Sequence, residues 1–307
     1  MINIRYFLTH LTLRHGRRRS RKKGELLGER FLIQRERKRR LEVFLYRPDT
    51  AVSEKRPVLF NIHGGAWVAG DATGEDSLCR HLCDALGAFV VNINYTKADD
   101  RPFPYMQYEV FDTVRWFWDH AEEYGLDRKR FSVIGYSAGA NLAAGTAFLI
   151  KDAGISLNSL VLGYPFLDFR EVEELVAGKV NKRTVDVMRD IFFNRGTDLS
   201  DIIYSPLAAD NEELAGYPPT LIIGCEKDGF GLYPHAVAYR EKLDNAGVRA
   251  ELISYSEAAH GFLEYYWPEF RGSFSEEQKQ YRDDAFERII SWLKEEWKKT
   301  GNVSEDT

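Results

Sequence analysis

A short apolar run that leads into the pattern Gly-x-Ser-x-Gly constrains this chain more than any other stretch. Phe131 to Ile134 is predicted as a buried strand, Gly135 and Gly139 flank Ser137, and a helix of small residues follows from Ala140. A strand that enters a helix through this pattern turns sharply at the serine and presents its hydroxyl above the strand end. The pattern also occurs by chance, and a serine here can simply cap the helix. The flanking strand and helix favour Ser137 as a nucleophile.

Apolar strands alternate with helices along most of the chain. The predicted strands cover residues 31–34, 41–47, 57–63, 88–95, 131–134, 160–164, 220–224 and 250–255, and the predicted helices cover residues 77–86, 105–124, 140–148, 233–246 and 276–299. Continuous apolar strands that alternate with helices indicate a mostly parallel sheet with helices on both faces. We therefore expect an α/β fold with an eight-stranded sheet, the first two strands antiparallel. Ligands bind such sheets at the carboxyl ends of the strands.

Two regions depart from this alternation. Residues 171–193 contain two helical stretches where one crossover is expected, which indicates a helical cap inserted at about residues 166–205. Residues 1–47 contain 15 Lys and Arg residues against 4 Asp and Glu residues, although the whole chain has a net charge of −5. We expect residues 1–40 to form a basic segment that begins with an amphipathic helix and belongs to the cap. Residues 41–300 would form the main domain, and residues 301–307 a disordered tail.

The basic segment allows two interpretations. Clustered Lys and Arg residues can dock on an anionic membrane surface, or they can lie against the acidic remainder of the chain, which we favour. The chain has no run of about 18 apolar residues that would span a membrane and no secretory signal. Its three cysteines fit a reducing compartment, so we expect a cytoplasmic protein. Cys79 and Cys83 are interpreted as packing residues rather than metal ligands, because no matching pair of Cys or His residues lies nearby.

A serine nucleophile needs a base, and the base needs a carboxylate that orients it. His260 follows the last predicted strand, in a loop where a base can reach the nucleophile. For the carboxylate we favour Asp228, which precedes a glycine in the loop after residues 220–224. Glu226, closer to that strand, and Asp168 remain alternatives. The order serine, acid, histidine is the one that this fold class uses.

The segment His63-Gly64-Gly65 ends another strand and supplies candidate oxyanion donors. Consecutive glycines leave backbone N–H groups exposed, so they can approach an oxygen closely. We expect Gly64 and Gly65 to act together with the N–H of Ala138, which follows the nucleophile. His63 is expected to fix the loop through its ring N–H rather than to transfer protons.

Together these segments resemble the hormone-sensitive-lipase branch of the α/β-hydrolases from Arg56 to Trp297. The shared motifs are His63-Gly-Gly-Ala-Trp67, Asn92-Ile-Asn-Tyr95 with Pro102-Phe-Pro104, Gly135-Tyr-Ser-Ala-Gly-Ala-Asn-Leu-Ala143, Ser205-Pro-Leu207, Pro218-Pro-Thr-Leu-Ile222, Ala246-Gly-Val248 and His260-Gly-Phe262. The resemblance assigns the nucleophile, acid and base to Ser137, Asp228 and His260, and the oxyanion donors to Gly64, Gly65 and Ala138. Three features depart from the family pattern. Ala66 stands where the family usually has a third glycine, and the basic segment from Met1 to Arg40 has no counterpart. The acid motif Glu226-Lys-Asp228-Gly229 differs from the family's usual acidic-Pro-Leu pattern, which keeps Glu226 as an alternative acid.

The resemblance implies a serine carboxylesterase that acts on short-chain, acetyl-type esters without a metal or other cofactor. Trp67, Tyr136 and Phe166 are the expected substrate-binding residues. An arylformamidase or amidase with the same machinery is the alternative. A non-catalytic small-molecule binding protein is disfavoured because the chain retains His260. The expected partner is a small ester, without nucleic acid, and the strand at residues 250–255 could pair in a homodimer.

Overall fold

The computed structural model describes residues 12–17, 21–35, 38–49, 54–171, 186, 189–264, 267–269 and 275–301. Residues 12–17 are helical. Residues 1–11 of the predicted amphipathic helix, residues 172–185 and 187–188 of the predicted cap insertion, and residues 302–307 lie outside the described residues.

Within the described ranges, eight strands form one sheet in the order β1-β2-β4-β3-β5-β6-β7-β8. The strands are β1 (Glu29–Ile33), β2 (Leu41–Tyr46), β3 (Arg56–Ile62), β4 (Phe89–Ile93), β5 (Leu126–Tyr136), β6 (Ser159–Gly163), β7 (Thr220–Cys225) and β8 (Ala250–Tyr255). Strand β2 pairs antiparallel with β1 and β4, and all other neighbours pair in parallel. The expected mostly parallel eight-stranded sheet is confirmed.

Helices cover both faces of the sheet. They are α1 (Asp76–Leu86), α2 (Tyr105–Asp119), α3 (Ala138–Asp152), α4 (Tyr233–Asn245) and α5 (Glu276–Gly301). Side chains of α2, α3 and α4 share one apolar core with one face of the strands, and side chains of α1 and α5 share a second core with the other face. Strands β4, β6 and β7 are buried along their whole length. This explains why they appear in the sequence as continuous apolar runs.

The bounds differ from the predicted ones where local polarity hides an element. Strand β5 begins at Leu126, five residues before the predicted start. Its first part contains four consecutive charged residues, 127–130, and the register with β3 shifts between Arg56 and Val58. Helix α2 ends at Asp119, and the chain then reaches β5 through Gly125, which has a positive φ of 64°.

No helix of the described residues is both long and apolar enough to cross a membrane. The parallel strands β3, β5, β6, β7 and β8 end at the same edge of the sheet. The segments that follow them carry every candidate catalytic residue of the sequence analysis.

Candidate active site

Ser137 occupies a strained turn between β5 and α3, with φ 53° and ψ −115°. A positive φ is uncommon for a residue other than glycine and marks a position that the surrounding structure enforces. A Cβ at Gly139 would lie 2.1 Å from the carbonyl oxygen of Ile62, and one at Gly135 would lie 2.3 Å from that of Gly139. Both glycines are therefore required. The Ser137 side chain makes no helix-capping hydrogen bond, so the simple capping interpretation is wrong.

Three predicted residues form a hydrogen-bonded row. His260 Nε2 lies 2.8 Å from Ser137 Oγ, and His260 Nδ1 lies 2.7 Å from Asp228 Oδ2. Since a carboxylate can only accept, Nδ1–H donates to Asp228, and the lone pair on Nε2 faces the serine hydroxyl. The Asp228 side chain is 1% exposed, and its Oδ1 accepts the N–H of Phe230 at 2.7 Å. This geometry suits proton transfer from Ser137 to His260.

The two alternative acids lie differently. Glu226 is exposed. Asp168 is buried and pairs with the guanidinium of Arg170, whose Nε donates to Oδ1 at 2.9 Å and to Oδ2 at 3.1 Å and whose Nη2 donates to Oδ2 at 2.5 Å. The geometry therefore favours Asp228 over both.

The segment after β3, residues 63–71, is called the oxyanion loop below. The N–H of Gly64 donates to Glu264 Oε1 at 3.1 Å. Because this hydrogen is already engaged by a carboxylate, the expectation that Gly64 donates to an oxyanion is wrong. In the part of the chain that the structure describes, the N–H groups of Gly65, Ala66 and Ala138 meet no acceptor. Ala66 has a φ of 48°, a second strained position.

His63 is buried beneath this loop, and each of its two ring nitrogens takes part in a hydrogen bond. Its Nδ1 lies 2.6 Å from the carbonyl oxygen of Gly64, and its Nε2 lies 3.0 Å from Lys97 Nζ. Burial lowers the pKa of Lys97 to about 7. Burial and the neighbouring Lys97 charge lower the pKa of His63 well below its usual range. A neutral His63 therefore donates from Nδ1 to Gly64, in agreement with its predicted role in fixing the loop. No sequence pattern had singled out Lys97.

The predicted substrate-binding residues separate into two environments. Trp67, in the oxyanion loop, and Phe166 contact each other with ring centroids 5.3 Å apart, and both belong to one aromatic cluster. Tyr136 is 0% exposed and packs in the core on the opposite face of the sheet. Because its side chain is enclosed there, the prediction that Tyr136 binds substrate is wrong. The sequence analysis missed Phe230, which is 62% exposed and lies with its ring 4.7 Å from that of His260.

The described part of the basic segment lies against acidic side chains. Arg17 donates to both carboxylate oxygens of Asp99, at 2.7 and 3.0 Å, and to the carbonyl oxygen of Val68 in the oxyanion loop at 2.8 Å. Lys22 Nζ lies 2.6 Å from Asp76 and 2.9 Å from Glu269. These contacts favour the interpretation that the basic segment pairs with the acidic remainder of the chain.

Comparison with known proteins gives a consistent result. Residues 59–264 match the protein family described as alpha/beta hydrolase fold. An arylesterase of Saccharolobus solfataricus is 29% identical over 216 residues, which cover 67% of this chain and 68% of that protein. Carboxylesterase NlhH of Mycobacterium tuberculosis is 31% identical over 221 residues, which cover 70% of this chain and 69% of that protein. The crystal structure of a thermostable esterase from Pseudomonas putida matches with a TM-score of 0.74 and 25% identity, over 94% of this chain and 89% of that chain.

Proposed function

Because this chain belongs to the alpha/beta hydrolase fold family, we propose that it is a serine carboxylesterase that hydrolyses short-chain acyl esters. The observation that carries the proposal is the row of hydrogen bonds from Ser137 through His260 to Asp228, at 2.8 and 2.7 Å. The esterase names of the similar proteins support the reaction class.

In this mechanism Ser137 Oγ attacks the carbonyl carbon of the ester, and the hydroxyl proton passes to His260 Nε2. Asp228 holds the ring through Nδ1–H and stabilises the imidazolium that forms. When the tetrahedral intermediate collapses, the bond to the alcohol oxygen breaks and His260 gives that oxygen the proton. Water then attacks the acyl-enzyme with His260 as base, which releases the acid and restores the Ser137 hydroxyl.

The oxyanion is bound by backbone donors. We assign this role to the N–H groups of Gly65, Ala66 and Ala138, whose hydrogens have no acceptor among the described residues. Each donor that points at the developing negative charge lowers the barrier by about 3 kcal/mol. The backbone N–H of Ala66 takes the place of the N–H of the third glycine that the hormone-sensitive-lipase branch usually has.

The acyl group would lie beside the oxyanion loop, against Trp67 and Phe166. Both side chains are nearly enclosed by other aromatic rings, among them Phe169 and Phe192. A long acyl chain would have to displace one of these rings, and this packing supports a short acyl group. The names of the similar proteins, an arylesterase and a carboxylesterase, support an ester rather than an amide as the substrate of this chain. The hydrogen-bonded row at Ser137 disfavours a purely binding role.

We also propose that the basic segment contributes to a cap, together with the insertion at about residues 166–205. The hydrogen bond from Arg17 to Val68 in the oxyanion loop supports this arrangement. In this view the segment influences substrate access rather than the stability of the core.

A hydrolysis panel tests the function. We would measure kcat/KM for p-nitrophenyl esters from two carbons upward, beside an arylformamide and an acetanilide, with Ser137→Ala as the control. The expected result is highest activity on the shortest esters and none above background in the control. Highest kcat/KM on the arylformamide or the acetanilide would replace the esterase with the amidase alternative, and equal activity in the control would remove the serine mechanism.

A further inference from the structure

Glu264, four residues after His260, connects the oxyanion loop to the surroundings of the base. Its Oε1 accepts the N–H of Gly64 at 3.1 Å, and its Oε2 accepts the hydroxyl of Tyr164 at 3.0 Å. Tyr164 follows β6 with a strained φ of 37°, and its ring lies 4.8 Å from that of His260. One side chain therefore joins the segments that carry the proposed oxyanion donors and the proposed base.

The space at Gly64 is fitted to this carboxyl group. A Cβ at Gly64 would lie 2.7 Å from Glu264 Oε1 and 3.0 Å from Oε2. Contacts that short are closer than van der Waals separation, so only glycine lets the carboxylate reach the backbone N–H. The bond fixes the peptide group between His63 and Gly64, and the next residue, Gly65, has a φ of 120° that starts the turn in which the following N–H groups are unpaired.

A second carboxyl group, that of Glu75, is buried in the same region and accepts a hydrogen bond from Asn61 at 2.5 Å. Burial and the charge of Glu264 raise the pKa of Glu75 well above its usual range. Burial also raises the pKa of Glu264, while the bond from Tyr164 and the charge of His260 oppose that rise. We therefore assign the proton to Glu75 and the negative charge to Glu264, which accepts the two hydrogen bonds described above.

We propose that Glu264 is a positioning residue that holds the oxyanion loop in its donor geometry and links it to the loop of His260. This inference rests on the proposed esterase mechanism. Glu264 acts through Gly64 and Tyr164, without contact to substrate. Donors that are already oriented when the oxyanion forms need no reorganisation during the reaction, which is the main source of their effect.

Two substitutions separate this role from general packing. Glu264→Gln keeps the length of the side chain and an oxygen that can accept the N–H of Gly64, while the Tyr164 hydroxyl can rotate to accept from the amide. Glu264→Leu has a similar volume and no acceptor. Glu257→Leu is the matched control, because Glu257 lies three residues before His260 with an exposed side chain. A melting curve for each variant shows whether it is folded at the assay temperature.

The readouts are kcat and KM for p-nitrophenyl acetate, per active site, and the inhibition constant of an aryl trifluoromethyl ketone. This ketone adds to a serine nucleophile and places an oxyanion in the donor site. A displacement of donors by about 1 Å costs on the order of 100-fold. For Glu264→Leu we expect kcat to fall by about that factor with KM within about threefold, and the inhibition constant to rise by the same factor. Glu264→Gln should stay within about tenfold of the wild type in both readouts, and Glu257→Leu should be unchanged.

A folded Glu264→Leu variant with wild-type kcat and wild-type affinity for the ketone would overturn the proposal. So would equal losses in the Gln and Leu variants, because they would mean that the hydrogen-bond acceptor is not what matters. Failure of the esterase mechanism itself would look different: the wild type would then neither hydrolyse the ester nor bind the ketone.

Discussion

Replacement of Asp228 by asparagine should disable the base without disturbing the fold. Oδ1 of Asp228 accepts the N–H of Phe230 at 2.7 Å, while Oδ2 faces His260 Nδ1, also at 2.7 Å. In the variant the amide oxygen would keep the bond to Phe230, so the NH2 group would face Nδ1. The side-chain NH2 group and the Nδ1–H of His260 are both donors, so they cannot form a hydrogen bond with each other. The ring would therefore move its proton to Nε2, and a proton there faces Ser137 Oγ in place of the lone pair that accepts from it.

The expected size follows from this change of tautomer. A carboxylate-to-amide change at this position of a serine hydrolase lowers kcat by about 10⁴-fold, which corresponds to about 5 kcal/mol in the activation free energy. Because the amide has the same shape and the side chain is enclosed, the melting temperature should change little. The loss should therefore appear in kcat and not in the fraction of folded protein.

The assay is steady-state hydrolysis of p-nitrophenyl acetate, with Glu226→Gln as the matched control. Glu226 is two residues away and exposed, so its amide should keep activity within about twofold. An Asp228→Asn variant with near wild-type kcat would refute the reasoning. An inactive Glu226→Gln variant beside an active Asp228→Asn variant would transfer the role of the acid to Glu226.

Three further predictions concern the framework. Deleting residues 1–25 should change KM and the preferred acyl length more than it changes the melting temperature of the core, because Arg17 donates a hydrogen bond to the oxyanion loop. If the truncated protein kept its ester selectivity and the full-length protein sedimented with anionic vesicles, the membrane-binding interpretation would be supported instead. Burial lowers the pKa of Lys97 from 10.5 to about 7. Between pH 7 and pH 10.5 Lys97 is therefore protonated in the unfolded chain and largely neutral in the folded chain, so the free energy of unfolding rises with pH. Between pH 7 and pH 9 the free energy of unfolding, measured in urea, should rise by about 2 kcal/mol more for the wild type than for Lys97→Met. The same pH dependence in both proteins would contradict this. Gly139→Ala should lower the free energy of unfolding by about 3 kcal/mol, because its Cβ would meet the Ile62 carbonyl oxygen at 2.1 Å. A free energy of unfolding equal to that of Gly74→Ala, where a Cβ meets no atom within 4 Å, would contradict this.

The sheet could be predicted from the sequence because the buried strands are nearly continuous apolar runs. Strands β4, β6 and β7 are enclosed on both faces, so nearly all of their residues are apolar or small. The exception is Asn92 of β4, whose side chain is hydrogen-bonded to Asn61 and to the carbonyl oxygen of Ala72. The sequence did not reveal the start of β5 because residues 127–130 are charged and partly exposed, and the register with β3 passes directly from Leu126 to Phe131. Local polarity cannot reveal a strand whose pairing is set by a distant neighbour.

At the candidate site, position after a strand was enough to find Ser137, His260 and Asp228, which the fold brings into contact. The sequence could not show that the N–H of Gly64 is already hydrogen-bonded, because the carboxylate that accepts it lies 200 residues later in the chain. Tyr136 precedes the nucleophile in sequence, but its side chain points to the opposite face of the sheet. Whether a backbone N–H is free, and which face a residue occupies at a sharp turn, depend on tertiary contacts that no short pattern encodes.

The central claim is that Ser137 carries the acyl group during turnover. The most direct test mixes the protein with excess p-nitrophenyl acetate, quenches in acid within the first turnover, and locates the added acetyl group by peptide mass spectrometry. The account predicts one acetyl group per chain, on the peptide that contains Ser137, and none in Ser137→Ala. Acetyl transfer to another residue, or turnover with no acyl-enzyme at any quench time and full activity in Ser137→Ala, would contradict it.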